Sequence, residues 1–104
     1  MIALKDIKTV FFLGIGGIGM SALAQYFIKR GVRVFGYDRV ATPLTGQLTS
    51  MGMDITYVDE NWNGQALDLI IFTPAIPSDN KLKTQFLEEG VTMMKRSEVL
   101  GLIS

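Results

Sequence analysis

The sequence predicts an α/β domain with three layers, α/β/α, around a mainly parallel five-stranded sheet. Short, uninterrupted apolar runs, such as Thr9-Val10-Phe11-Phe12-Leu13 and Leu69-Ile70-Ile71-Phe72, read as strands covered on both faces. Helical patterns separate successive runs, so each connection is long enough to cross over between parallel neighbours. The first run leads directly into Gly14-Ile15-Gly16-Gly17-Ile18-Gly19-Met20, a glycine turn of the strand-to-helix kind found in Rossmann-like nucleotide-binding domains.

After the glycines, Met20, Leu23, Ala24, Phe27 and Ile28 fall on one helical face, and Gly31 stands where such a helix stops. Gly14, Gly16 and Gly19 fit G-x-G-x-x-G. They serve the tight turn, the approach of a diphosphate to the backbone, and close helix–strand packing. Free amides of the first helical turn, backed by the helix dipole, hold an anion without a lysine. The candidate diphosphate loop is therefore Gly14, Ile15, Gly16, Gly17, Ile18, Gly19 and Met20. Ser21 adds a hydroxyl suited either to the phosphate or to packing at the helix start.

Arg33-Val34-Phe35-Gly36-Tyr37 reads as the second strand. Asp38 ends it, 22 positions after Gly16, the distance at which such units place an acidic residue on a ribose. The same carboxylate is also suited to cap a turn. Thr42 then reads as an N-cap and Pro43 as the first helical residue; Leu44, Leu48 and Met51 form a buried stripe, and Gly52 ends it. Residues 54–58 form a weaker strand. Residues 59–65 read as a loop or one helical turn, with Trp62 a lid over local apolar surface.

Thr73-Pro74-Ala75-Ile76-Pro77 stops the run at 69–72, because proline excludes a continuing central strand. Asp79 or Ser78 is expected to cap a third helix carrying Leu82, Phe86 and Leu87 inward and ending at Gly90. Residues 91–94 make the last strand, and an amphipathic segment runs from Ser97 through Ile103. That pattern carries no helix-ending signal, so residues 1–104 read as one domain of a longer protein. The glycine loop, Asp38 and residues 73–76 all follow strand carboxyl ends, which places them at one crevice.

Ten basic and ten acidic residues cancel, and no basic cluster appears, which argues against a nucleic-acid or anionic-membrane surface. The absence of cysteine and histidine removes disulfides, most zinc sites and nucleophiles activated by histidine, and it suits the cytoplasm. Lys5 and Lys8 followed by an uncharged stretch and Ala22-Leu23-Ala24 imitate a signal peptide. Asp6 among the lysines and the dense glycines argue against one, and against a membrane span. No nucleophile–base pair, metal cluster or G-x-x-x-x-G-K-[ST] loop is legible. The residues describe a binding domain with no catalytic or metal-ligating set of its own.

The segment Phe12-Leu13-Gly14-Ile15-Gly16-Gly17-Ile18-Gly19-Met20-Ser21-Ala22-Leu23-Ala24 resembles the opening of the Mur ligases, especially those that add L-alanine to UDP-N-acetylmuramate. Gly36-Tyr37-Asp38 matches that family's Gly-Ser-Asp, and Thr42, Thr45 and Leu48 match its Ser/Asn-x-x-Thr-x-x-Leu. Thr73-Pro74-Ala75-Ile76 matches Ser-Ser-Ala-Ile, and Arg96-Ser97-Glu98-Val99-Leu100 matches Arg-x-Glu-x-Leu. The chain departs from the family at Lys95, where a histidine often stands, and at Val58-Asp59-Glu60-Asn61, where a histidine-containing segment is common.

The resemblance implies that the Gly14–Met20 backbone and Ser21 hold the diphosphate of UDP-N-acetylmuramate. It places Asp38, Thr73, Pro74, Ala75 and Ile76 around the uridine, with Thr42, Thr45 and Arg96 as further candidates. It also implies an ATP-dependent cytoplasmic ligase of peptidoglycan precursor synthesis. There ATP phosphorylates the muramoyl carboxylate and the amine of L-alanine attacks the acyl phosphate. ATP and Mg²⁺ would belong to a central domain and amino-acid recognition to a third, both of them partners of this one. On the residues alone, the glycine loop and Asp38 equally suit an NAD(P)-binding domain of a dehydrogenase or a nucleotide-sensing regulator.

Overall fold

The computed structural model describes residues 2–103 and consists of a parallel sheet with helices on both faces. After a single 3-10 turn at Leu4–Asp6 come β1 (Thr9–Leu13), α1 (Ile18–Lys29), β2 (Arg33–Tyr37), α2 (Pro43–Ser50) and β3 (Asp54–Thr56). Then follow β4 (Leu69–Phe72), α3 (Lys81–Glu88), β5 (Met93–Lys95) and α4 (Arg96–Ile103). The strand order is β3-β2-β1-β4-β5, with every pairing parallel.

β1 lies at the centre, and all of its residues are buried. Alternation along the strand divides the core in two. Val10 and Phe12 join Met20, Leu23, Ala24 and Phe27 of α1, Leu48 of α2 and Val99 of α4 on one face. Phe11 and Leu13 join Phe35, Tyr37 and Ile70 of the sheet, with Leu82 and Phe86 of α3, on the other. The link from β3 to β4 crosses this second face without a helix. Trp62 takes the helix's place as the expected lid, edge-on to Phe11 and Phe35 at 5.2 and 5.0 Å between ring centres.

Several boundaries differ from the sequence reading, each for a local reason. β3 ends at Thr56 and does not reach residue 58, because the Val58 amide turns back onto Thr56 Oγ1 at 3.3 Å. β5 covers 93–95 in place of 91–94, since the Val91 amide is held by the Phe86 carbonyl at the exit of α3. Asn80, and neither Asp79 nor Ser78, caps α3; its side chain accepts the Lys83 amide at 2.9 Å. Leu87 does not point inward but is 59% exposed, because the buried stripe of this short helix is Leu82 and Phe86. Residues 59–65 contain no helical turn, and α4 begins at Arg96, one residue early. Among the described residues, no helix is long and apolar enough to cross a membrane.

Candidate functional site

The chain leaves β1 toward β2 on one side and reaches β4 on the other, so a crevice opens at the carboxyl ends of these three strands. It holds a cavity of about 650 Å³. Gly14, Gly17, Tyr37, Asp38 and Arg39 line it from the β1 and β2 side; Asp59, Thr73, Ala75, Ile76, Pro77, Asp79 and Asn80 line it from the other.

The glycine loop is pinned to the end of β2. Gly14 takes φ +93°, a value a side chain would resist, and its amide and that of Ile15 donate to the Tyr37 carbonyl at 2.8 and 3.0 Å. The Ile15 side chain is fully buried over Gly36, where even a Cβ would come within 2.5 Å of it. Ile15 is thus an anchor into the core, and only its backbone belongs to the loop surface.

Asp38 braces the same loop from the next strand. Its Oδ2 accepts the Gly16 amide at 2.8 Å, and its Oδ1 accepts the Val40 amide at 3.1 Å, so it caps its own turn as well. Space is short here: a Cβ on Gly16 would sit 2.7 Å from Asp38 Oδ2 and 3.1 Å from Thr45 Cγ2. Thr45 is fully buried. It completes a capping box with Thr42 and receives the Tyr57 hydroxyl at 2.9 Å, so it supports the loop from behind and does not face the cavity.

Two helix N-termini meet the crevice, and they are treated differently. At α3, Asp59 accepts the Lys81 amide at 2.9 Å and the Leu82 amide at 3.2 Å, while Asn80 takes the Lys83 amide. The protein's own carboxylate fills that end. At α1, the Ser21 amide returns to the Gly17 carbonyl, but the amides of Ile18, Gly19 and Met20 meet no acceptor among the described residues. Unlike that of α3, the positive end of α1 is filled by no carboxylate among the described residues, an arrangement chemically suited to an anion. Ile18, beside these amides, is 85% exposed. Ser21 is buried and its hydroxyl donates to the Ile18 carbonyl at 2.9 Å, the packed role of the two expected for it.

Arg96 lies over the same turn; a Cβ on Gly19 would fall 2.8 Å from its Nη1. Thr73 Oγ1 accepts the Ala75 amide at 3.2 Å and shapes the loop facing Gly14, whereas Pro74 and Thr42 do not line the cavity. The far wall is acidic. The Tyr37 phenol has a raised pKa, first through burial and then through Asp59 and Asp38, with Arg39 opposing.

Of the residues named from the sequence, Gly14, Gly17, Asp38, Thr73, Ala75 and Ile76 line the cavity, which is also lined by Tyr37, Arg39, Asp59, Pro77, Asp79 and Asn80. Tyr37 and Arg39 sit at the carboxyl end of β2, and that position was the available signal for them; Asp59, three residues past β3, and Asn80 carried none.

A model of the Mur ligase family, catalytic domain, matches residues 9–104. The chain is 44% identical over 103 residues to a UDP-N-acetylmuramate–L-alanine ligase of Porphyromonas gingivalis, covering 93% of this chain and 23% of that protein. A ligase of the same description from Flavobacterium johnsoniae is 43% identical over 107 residues, covering 97% of this chain and 24% of the other. The crystal structure of a UDP-N-acetylmuramate–alanine ligase of Thermotoga maritima superposes with a TM-score of 0.83 at 34% identity, over 88% of this chain and 21% of that one. A murein peptide ligase of Psychrobacter arcticus shares the fold, with a TM-score of 0.76 at 23% identity over 89% of this chain and 20% of that one. The chain therefore spans about a quarter of the length of the relatives it matches.

Proposed function

This chain belongs to the Mur ligase family, and from that premise we propose that it holds the UDP part of UDP-N-acetylmuramate for a ligase that adds L-alanine in peptidoglycan precursor synthesis. The contrast between the two helix N-termini carries this reading. The α3 end is filled by Asp59, whereas α1 offers three unclaimed amides at Ile18, Gly19 and Met20. The diphosphate binds there, with Arg96 beside it. Gly16 contributes by its pinned conformation, since its own amide is given to Asp38. The uridine lies in the cavity between Asp38 and the loop carrying Thr73, Ala75 and Ile76.

In this scheme residues 1–104 bind and orient the substrate and take no part in bond making. The whole protein would use ATP and Mg²⁺, held by a central domain, to phosphorylate the muramoyl carboxylate, and L-alanine would then displace the phosphate. Its nucleotide substrates place the enzyme in the cytoplasm. A dinucleotide-binding reading would set the same Asp38 on a ribose, which its remaining lone pairs still permit, so ligand preference decides between the two.

Calorimetric titration with UDP-N-acetylmuramate, UDP and NADH tests the proposal. The UDP ligands should bind more tightly than NADH, and Gly16→Asp should abolish their binding by placing bulk and negative charge in the loop. Tighter binding of NADH would replace the ligase reading with the dinucleotide one.

A further inference from the structure

The cavity carries two polar side chains, one at the α3 N-terminus and one at the end of β2, that are more than nine-tenths buried and have unfilled hydrogen-bonding atoms. Asn80 is 4% exposed and Tyr37 is 7% exposed, and both line the cavity. Asn80 cannot turn its amide freely. Its Oδ1 accepts the Lys83 amide at 2.9 Å, which commits Nδ2 to the role of donor. That Nδ2 and the Tyr37 hydroxyl meet no partner among the described residues. Neither is sealed in, since no buried side-chain nitrogen or oxygen lacks a partner. Both therefore open on the cavity.

The charges here say which part of a ligand comes to this end. Asp59 and Asp79 line this wall, and Asp38 faces it beside Arg39; three carboxylates against one guanidinium disfavour a phosphate and favour a neutral group. With the diphosphate on the α1 amides, the base reaches this end. The edge of a pyrimidine base that lies farthest from its ribose carries the C4 substituent. A fixed donor at that point pairs with a C4 carbonyl and opposes a C4 amino group, which is itself a donor. On the reading of this cavity as a UDP site, we propose that Asn80 is a specificity-determining residue whose Nδ2 donates to the C4 oxygen of uracil and so rejects cytosine.

The test compares UDP with CDP, whose ribose and phosphates are identical. Dissociation constants from NMR shift titrations of the 104-residue chain give their ratio. In the wild type UDP should be preferred by about tenfold or more, the difference between a made and an opposed hydrogen bond. Asn80→Asp and Asn80→Ser both keep a capping acceptor for Lys83, so α3 should survive, as circular dichroism will check. Asn80→Asp should abolish or reverse the preference, because a carboxylate accepts from the cytosine amine. Its extra charge acts on both ligands alike and drops out of the ratio. Asn80→Ser should bring the ratio close to one. Wild-type ratios retained in both variants, or equal binding of UDP and CDP by the wild type, would overturn the role of Asn80 while leaving the UDP site standing. Binding of neither nucleotide by the wild type would overturn the UDP site, and the role of Asn80 with it.

Discussion

Asp38 accepts the amide hydrogen of Gly16 at 2.8 Å across 22 residues of sequence. The motif's acidic position is commonly understood as a ligand contact. Here it also holds the loop that receives the anion. Asp38→Ala should therefore reduce stability as well as affinity. Losing a carboxylate that accepts two amides should cost about 1–2 kcal/mol, at the low end because the group is only partly buried. For a domain of this size that lowers Tm by roughly 4–16 °C. An unchanged Tm, read by circular dichroism, would confine Asp38 to ligand contact.

Gly16→Ala probes the same relationship from the other side. Its Cβ would stand 2.7 Å from Asp38 Oδ2 and 3.1 Å from Thr45 Cγ2, and Thr45 is locked in a capping box and cannot retreat. The expected cost is about 1–3 kcal/mol, as for other overpacked sites. Part of it is a clash with Asp38. The double variant with Asp38→Ala should therefore lose less than the sum of the two single ones, by about 0.5 kcal/mol or more. Simple additivity would show that the two residues do not act on each other.

What was legible in the sequence, and what was not, follows from the range of the interactions involved. β1 and β4 are continuous apolar runs because both faces are covered, and that pattern is local. The loop after β1 is legible because its glycines recur at motif spacing right after a strand; Gly14 answers a local need, φ +93°, whereas Gly16 and Gly19 are kept small by Asp38 and Arg96 from far along the chain. The acidic wall is different. Asp59 caps a helix whose first amide lies 22 residues further along, and no local spacing announces such a pair. Leu87 was misread because an apolar residue five positions after Leu82 lies well round the helix from the Leu82–Phe86 stripe.

Asp68 ties the entry of β4 to that of β1. Its Oδ2 accepts the Lys8 amide at 2.8 Å, the Thr9 amide at 3.1 Å and the Thr9 hydroxyl at 3.3 Å. The Lys8 amide, with the Thr9 bonds and the Lys8 charge, holds its pKa below the ordinary value of 3.8, while burial opposes them. A depressed pKa means that the stabilisation is present above that ordinary value and is lost as pH falls through the folded one. The Tm advantage of wild type over Asp68→Asn should thus be steady above about pH 5 and shrink below about pH 4. An advantage that does not change down to about pH 2 would show that the charge of Asp68 plays no part.

Arg96 makes the sharpest case for an anion. It is exposed, opens α4, and lies over the first turn of α1, so it sits at the positive ends of two helix dipoles. Such a placement brings the free protein no electrostatic gain, but it suits a bound diphosphate. Arg96→Ala should change stability by no more than about 0.5 kcal/mol, and in the favourable direction. Affinity for UDP should fall by roughly ten- to hundredfold, with a weaker dependence on salt. Gly19→Ala reaches the same residue indirectly. Its Cβ would meet Arg96 Nη1 at 2.8 Å, but a guanidinium at the end of a flexible chain can swing aside, and alanine favours the helix. The fold should therefore hold while affinity drops, because the displaced cation no longer stands over the amides. Titrations of both variants with UDP at low and high salt make the comparison. Affinity equal to wild type in both would remove Arg96 from the anion site and leave the diphosphate to the α1 amides alone.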